Sequence, residues 1–409
     1  MNPEYAASIP DSTERLLPYV RQVMTVRSVV RGEAKDEGAV RFVGRLTMDS
    51  EEAYNRLSRE FERLGVTLLF RTEGEDHVAL AIPGLIRPTP SNPLVNLVLF
   101  VVTLASVVFS GLVSGSYYVH PDVANPSLSM LLAPQVVQLG LLFAAAFLGI
   151  LVCHESGHYL AGRYHGTAVT LPYFIPLPGS PLGTLGAFIR LKSPPRNRKV
   201  LLDIGMAGPL GGLLIAVPVL LVGLAMSRVA QLPSAPADFS SVTLEGNSIF
   251  YLLAKFITHG QLLPAPASYG GVPPFLYWVR YMFLGIPAPL GGQDVLLHPL
   301  AWAGWMGLLV TALNLIPAGQ LDGGHALFTL VGKRAAQLWP VLVFALLLMG
   351  MVWSGWWIWA ALLFLLGRVH ATPLDDITRL DGPRKLIAVS GLVLFVLLFT
   401  PIPFSVFGS

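Results

Sequence analysis

The chain has 409 residues, 53% of them hydrophobic and only 12% charged, with a mean hydropathy of +0.62. That balance excludes an ordinary soluble globular protein and reads as a polytopic α-helical membrane protein. A net charge of +3 spread over short loops excludes nucleic acid as a partner, and Cys153, the single cysteine, excludes both an intramolecular disulfide and a cysteine-rich zinc site.

Met1 to Val20 carries Glu4, Asp11 and Glu14 and has neither a basic-then-apolar leader nor an acid-poor transit peptide. The expectation is an unprocessed start in a prokaryotic plasma membrane, with the N-terminus towards the cytoplasm. Residues 1–90 have ordinary soluble charge density and read as a small soluble α/β domain. A strand is expected at 41–46, then a helix capped by Asp49 or Ser50 whose apolar stripe is Tyr54, Leu57, Phe61 and Leu64. Two more strands, 66–70 and 77–82, flank an acidic turn, and His77 is an ordinary strand residue. Docking on the membrane, binding a ligand or partner, and shielding a site all stay open for this domain.

After a proline-rich linker at 83–93, Leu94 to Val113 is an uncharged run of 20 residues, enough for a first transmembrane helix within the section 91–132. The second helix begins near Ala133 and contains Cys153-His154-Glu155-Ser156-Gly157-His158. Residues four apart share a helix face, so His154 and His158 can bind one metal ion with Glu155 beside it. Ionisable groups inside a membrane-length segment are costly, and their default reading is functional.

Leu171 to Lys192 contains Pro172, Pro176, Pro178 and Pro181 and cannot be a helix. A membrane-embedded β-hairpin is expected, with Gly183 to Leu191 as its second strand, packed where protein covers its backbone. The cluster Arg190, Lys192, Arg196, Arg198 and Lys199 marks the cytoplasmic side. A third span follows at 201–226, with Gly205, Gly208, Gly211 and Gly212 allowing another helix to approach. Asp203 at its mouth is a helix-start charge.

Residues 227–297 read as an outer loop with short interfacial helices at 247–258 and 274–284. Its acids Asp238, Glu245 and Asp294 lie on the far side from the histidines. Pro299 to Leu315 is a fourth span running into Asn314-Leu315-Ile316-Pro317-Ala318-Gly319-Gln320-Leu321-Asp322-Gly323-Gly324-His325. The basic residues Lys333, Arg334 and Arg368 flank two apolar pieces, 338–353 and 356–366, which fit a hairpin better than one span; 386–399 is the last. About seven membrane segments result, with 133–333 as the core and 334–409 as a C-terminal membrane section.

Catalytic zinc keeps three protein ligands and an open position, so the histidine pair needs a third. His165 is near in sequence, but along a continuing helix it would lie about 10 Å from His158 at about 1.5 Å per residue. Asp322 follows a helix broken at Pro317 and Gly319, on the same side of the membrane, and Gly323 and Gly324 permit close approach. Asp322 could instead cap the helix that starts near Gly324; the nearby histidine pair favours ligation.

At these residues the chain resembles the site-2 protease family of intramembrane zinc metalloproteases, M50. His154 to His158 and Asn314 to Gly323 match its two signatures, with Met206-Ala207-Gly208-Pro209 between. Phe174 to Pro178, Gly186 to Arg190 and Pro195 to Arg198 are similar to the plastid EGY-type subgroup and its bacterial relatives. No PDZ domain fits between the core helices, so the substrate rules of PDZ-bearing members do not transfer.

The resemblance implies one catalytic Zn2+ on His154, His158 and Asp322, with Glu155 as general base on a zinc-bound water. It implies cleavage of transmembrane protein substrates in or near their helices, close to the cytoplasmic side and in contact with membrane lipid. Asn314 would hold substrate or oxyanion, the alternative to that role being a helix-packing amide. Pro317 and the strand Gly186-Ala187-Phe188 would line the substrate, the strand pairing with an unwound helix. A zinc-binding membrane chaperone without proteolysis, a transporter, and a membrane protease with glutamate as third ligand are the competing readings. The last would have only Glu245 to use downstream of His158.

Overall fold

The computed structural model describes residues 10–31, 39–121, 123, 125–233, 242–367 and 371–407. Asp238, Arg368 and the first nine residues lie outside them.

The chain opens with α1 (Pro10–Val23), β1 (Met24–Arg31), β2 (Val40–Leu46), α2 (Ser50–Arg63), β3 (Val66–Glu73) and β4 (Asp76–Pro83). The strands form one antiparallel sheet in the order β1-β2-β4-β3. Alternate residues Val40 and Phe42, then Leu68 and Phe70, fall on one face, where Leu16, Val20, Tyr54, Leu57 and Phe61 of the two helices cover them. Asp49 caps α2 by accepting from the amides of Glu51 and Glu52. Sequence pattern indicates neither α1 nor β1. β1 buries little beyond Met24, so it lacks the apolar alternation of a half-buried strand, and α1 carries Pro18 in its interior.

The remainder comprises α3 (Pro93–Val119), α4 (Leu128–Leu131), α5 (Pro134–Tyr164), β5 (Tyr173–Pro176), β6 (Thr184–Phe188), α6 (Arg198–Ala225), β7 (Arg228–Gln231) and β8 (Val242–Glu245). Then come α7 (Ile249–His259), α8 (Pro274–Leu284), β9 (Gln293–Leu296), α9 (Pro299–Asn314), α10 (Asp322–Val331), α11 (Ala335–Met349), α12 (Gly355–Leu366), α13 (Gly382–Leu398) and β10 (Phe404–Phe407). The expected hairpin strand 183–191 is shorter, Thr184–Phe188, paired with β5.

Among the described residues, four stretches are long and apolar enough to cross a bilayer: α3, α5, α6 and 322–349. The last is not one rod. Gly332, at φ 63° and ψ −139°, interrupts it in a conformation that suits glycine. Beyond it, Val343 and Leu346 of α11 pack back on Ile316 and Ala318, near the start of α10. The expected span at 299–315 appears as the 16-residue α9, short of the ~20 residues a bilayer needs. Its reason is burial: Ala301, Ala303, Trp305, Met306, Leu308 and Ala312 are all inside protein, so α9 answers to α5 and α6 rather than to lipid.

Basic residues collect at one end of the bundle, where the N-terminal sheet docks. Phe70 donates its amide to the Leu374 carbonyl at 2.9 Å and accepts from Asp376 at 3.2 Å. Lys199 at the start of α6 pairs with Glu51 at 2.7 Å. At the opposite end β7 pairs with β9 and β8 with β10.

Candidate metal and active site

His154, Glu155 and His158 are buried within α5, only 3%, 3% and 6% exposed. They are walled by α6, whose Ile204, Gly208 and Gly212 recur every four residues and so share one face. The Ile204 carbonyl lies 2.7 Å from His158 Nδ1. A carbonyl can only accept, so Nδ1 carries the proton and Nε2 keeps its lone pair. A Cβ at Gly208 would overlap the His158 ring, and one at Gly212 would come 3.1 Å from His154 Nδ1.

Beyond α9 the chain turns through Pro317 and Gly319 and restarts as α10. The cap position is Leu321, which offers no side-chain hydrogen bond; Asp322 is the first helical residue, with its carboxylate on the histidines. Asp322 Oδ2 lies 3.3 Å from Nε2 of His154 and 3.3 Å from Nε2 of His158. Asn314, last in α9, brings Nδ2 to 3.4 Å from His154 Nε2. One potential ligand atom from each of His154, His158 and Asp322 lies within 4.8 Å of the others.

That donor set fits zinc. Two imidazole nitrogens and a carboxylate oxygen bring lone pairs together, an arrangement that repels itself unless a proton or cation stands between them, and their chemistry is that of zinc ligands. Glu155 Oε2 is buried without a hydrogen-bond partner, an acceptor left beside the same cluster.

The other candidates fall elsewhere. His165 caps α5 and reaches Asp203 Oδ2 at 3.0 Å, outside the cluster. Asp203 also takes a paired contact from Arg384, at 2.9 and 2.7 Å. Glu245 and Asp294 sit around the fully buried Lys255 at the opposite end. Cys153 is a half-buried free thiol.

Gly186, Ala187 and Phe188 lie on β6, whose second edge pairs with no strand among the described residues and whose Leu185 and Phe188 are exposed. The hairpin is fastened by α3, a helix that composition alone marks as scaffolding. Asn96 Nδ2 donates to the carbonyls of Leu171 and Pro172, Ser106 Oγ to Gly183 and Ser110 Oγ to Ser180. The available signal is that Asn96, Thr103, Ser106 and Ser110 are spaced for one face of a largely apolar helix. Ile204 also escapes sequence reasoning; a main-chain acceptor has no side-chain signature, though the four-residue spacing of Gly208 and Gly212 points at that face.

The model of peptidase family M50 matches residues 142–353. "Probable zinc metalloprotease EGY1, chloroplastic" of Arabidopsis thaliana is 28% identical over 389 residues, covering 88% of this chain and 66% of that protein. Its namesake from Oryza sativa subsp. japonica is 30% identical over 394 residues, covering 89% and 62%. "Probable zinc metalloprotease EGY2, chloroplastic" of Oryza sativa subsp. indica is 28% identical over 380 residues, covering 90% and 62%. The chain thus spans somewhat under two thirds of the length of these relatives. No solved structure matches it.

Proposed function

The chain belongs to peptidase family M50, and we propose that it is an intramembrane zinc metalloprotease that hydrolyses a peptide bond within or near the transmembrane helix of membrane-protein substrates. The observation that carries this is the meeting of His154 Nε2, His158 Nε2 and Asp322 Oδ2 beside the unpartnered Glu155 Oε2. In this reading His154, His158 and Asp322 hold one zinc ion, which when bound supplies Lewis acidity to the scissile carbonyl and to water.

The chain's own residues do the rest. The Ile204 carbonyl keeps His158 in the tautomer whose Nε2 is free to ligate. Glu155 takes the proton from the attacking water and returns it to the leaving amine. Asn314, from the end of α9, offers Nδ2 to the developing oxyanion. A substrate helix hides its carbonyls in its own hydrogen bonds, so it must unwind locally; the free edge at Gly186-Ala187-Phe188 then receives it as an added strand, with Pro317 lining the approach. Arg163, Arg198, Lys333, Arg334 and Lys385 gather at the site's end of the bundle, which supports a cytoplasmic location for that end and for the N-terminal sheet. In this topology the membrane section crosses or enters the bilayer about seven times.

The test is Glu155→Gln in a membrane reconstituted with a transmembrane substrate. Retained zinc with cleavage reduced by about a thousand-fold or more is expected for loss of the base; cleavage at the wild-type rate would sink the proposal.

A further inference from the structure

At the end of the bundle where basic residues gather, a cavity of about 500 Å³ opens between the starts of α6 and α13 and the turn from α10 to α11. Its lining includes Arg198, Lys333, Arg334, Arg379 and Lys385 and, among the described residues, no acidic side chain. We propose that this cavity is a binding site for a phosphate-bearing anion, taken from a lipid headgroup or from solution.

Three segments distant in sequence converge here, which distinguishes the cluster from the solvated face of a single helix. Arg198 is the fixed member. Its Nε lies 2.9 Å from Asp376 Oδ1, its guanidinium sits over the Phe328 ring at 5.6 Å, and Gly332 stands so close that a Cβ there would meet the guanidinium at 3.0 Å. Lys333, Arg334, Arg379 and Lys385 are exposed and pair with no carboxylate among the described residues. Like charges turned into one concavity repel, and a polyanion relieves that repulsion. Guanidinium forks and ammonium groups together suit phosphate oxygens. The size falls in the range of small-ligand pockets, and a basic pocket at the cytoplasmic ends of membrane helices is where an anionic headgroup would reach it. An occupant would tie together α6, which walls the histidines, and α10, which begins at Asp322.

The proposal stands apart from proteolysis and is tested by binding alone. The full chain, wild type, is compared with Lys333→Gln/Arg334→Gln/Arg379→Gln and with a charge-matched control, Arg56→Gln/Arg59→Gln/Arg63→Gln on α2. In one arm, delipidated protein is offered phosphatidic acid against phosphatidylcholine and bound lipid is counted by native mass spectrometry. In the other, detergent-purified protein is titrated with pyrophosphate and followed by thermal stability. The cavity variant should lose about ten-fold or more in affinity, and the control should not. Loss in the first arm alone assigns a lipid headgroup, and loss in the second alone a soluble phosphate. Equal affinity of wild type and cavity variant in both arms, or equal loss in the control, overturns the site. Should the triple variant not fold, Lys333→Gln, Arg334→Gln and Arg379→Gln singly give the same comparison, each with about a two-fold or larger loss expected.

Discussion

His158 is held from behind by Ile204: the carbonyl of one lies 2.7 Å from Nδ1 of the other, and Nε2 is thereby aimed at Asp322. The contact exists because Gly208, one turn further along α6, leaves the ring its space. Gly208→Ala is therefore expected to displace the ring while keeping the helix, lowering zinc affinity about 10- to 100-fold, the scale of losing a ligand's outer support. Metal content by mass spectrometry checks it. Gly149→Ala, at a position on α5 where an added methyl would meet nothing within 4 Å, should leave zinc unchanged.

Asp322 and Glu245 make a discriminating pair. Asp322 sits 3.3 Å from both histidines, whereas Glu245 is held at the opposite end of the bundle by Tyr251 at 2.8 Å. Purified Asp322→Ala should keep less than about a tenth of the wild-type zinc, since two imidazoles alone make a weak site. Glu245→Ala should keep it all. Zinc loss in the second variant and not in the first would reverse the ligand assignment.

The section at the opposite end of the bundle from the histidines should loosen as pH rises. Burial, then the neighbouring Asp294 carboxylate, push the Glu245 carboxyl up to about 7, and burial raises Asp294 as well. Lys255 Nζ lies 3.6 Å from Asp294 Oδ1 and 4.0 Å from Glu245 Oε1, one ammonium for two acids, while the Tyr251 hydroxyl donates to Glu245. An acid whose pKa is raised by folding contributes stability below its unfolded pKa, near 4.3, and that contribution is lost as pH climbs from there through about 7. Hydrogen exchange over 242–296, corrected for intrinsic rates, should show more opening at pH 8 than at pH 5. Glu245→Gln should flatten the difference; an unchanged slope in that variant would assign the effect elsewhere.

What could be read in advance follows a physical line. His154, Glu155 and His158 stand out because charge inside an apolar helix needs a reason, and Asp322 because a broken helix delivers it to the same side. His77 falls on β4 as expected, and its Nδ1 takes the Leu46 amide. Illegible are the contacts made by main chain, such as the Ile204 carbonyl and the Phe70 pairing with 374–376, since peptide groups are the same at every position. Hydropathy also does not tell burial in protein from burial in lipid: α9 is surrounded by protein, and 322–349 is apolar throughout although Gly332 folds it in two.

The hairpin's hold on α3 gives the test of substrate presentation. Asn96 satisfies two carbonyls, of Leu171 and Pro172, at 3.0 and 2.9 Å, and Ser106 satisfies Gly183 at 2.6 Å, just before β6. Apolar replacements take the side-chain donor from the Leu171 and Pro172 carbonyls, at about 1–3 kcal/mol each where no water competes to repair them, and leave the Gly183 carbonyl only the Leu177 amide. Asn96→Leu/Ser106→Ala should thus free the Thr184–Phe188 strand from its place while His154, His158 and Asp322, held by α5, α6 and α10, stay assembled. Zinc content should match wild type, and cleavage of a transmembrane substrate should fall about ten-fold or more, because strand addition needs an ordered edge. Full cleavage in this variant would separate β6 from substrate binding, and loss of zinc would show that the hairpin supports the metal site instead.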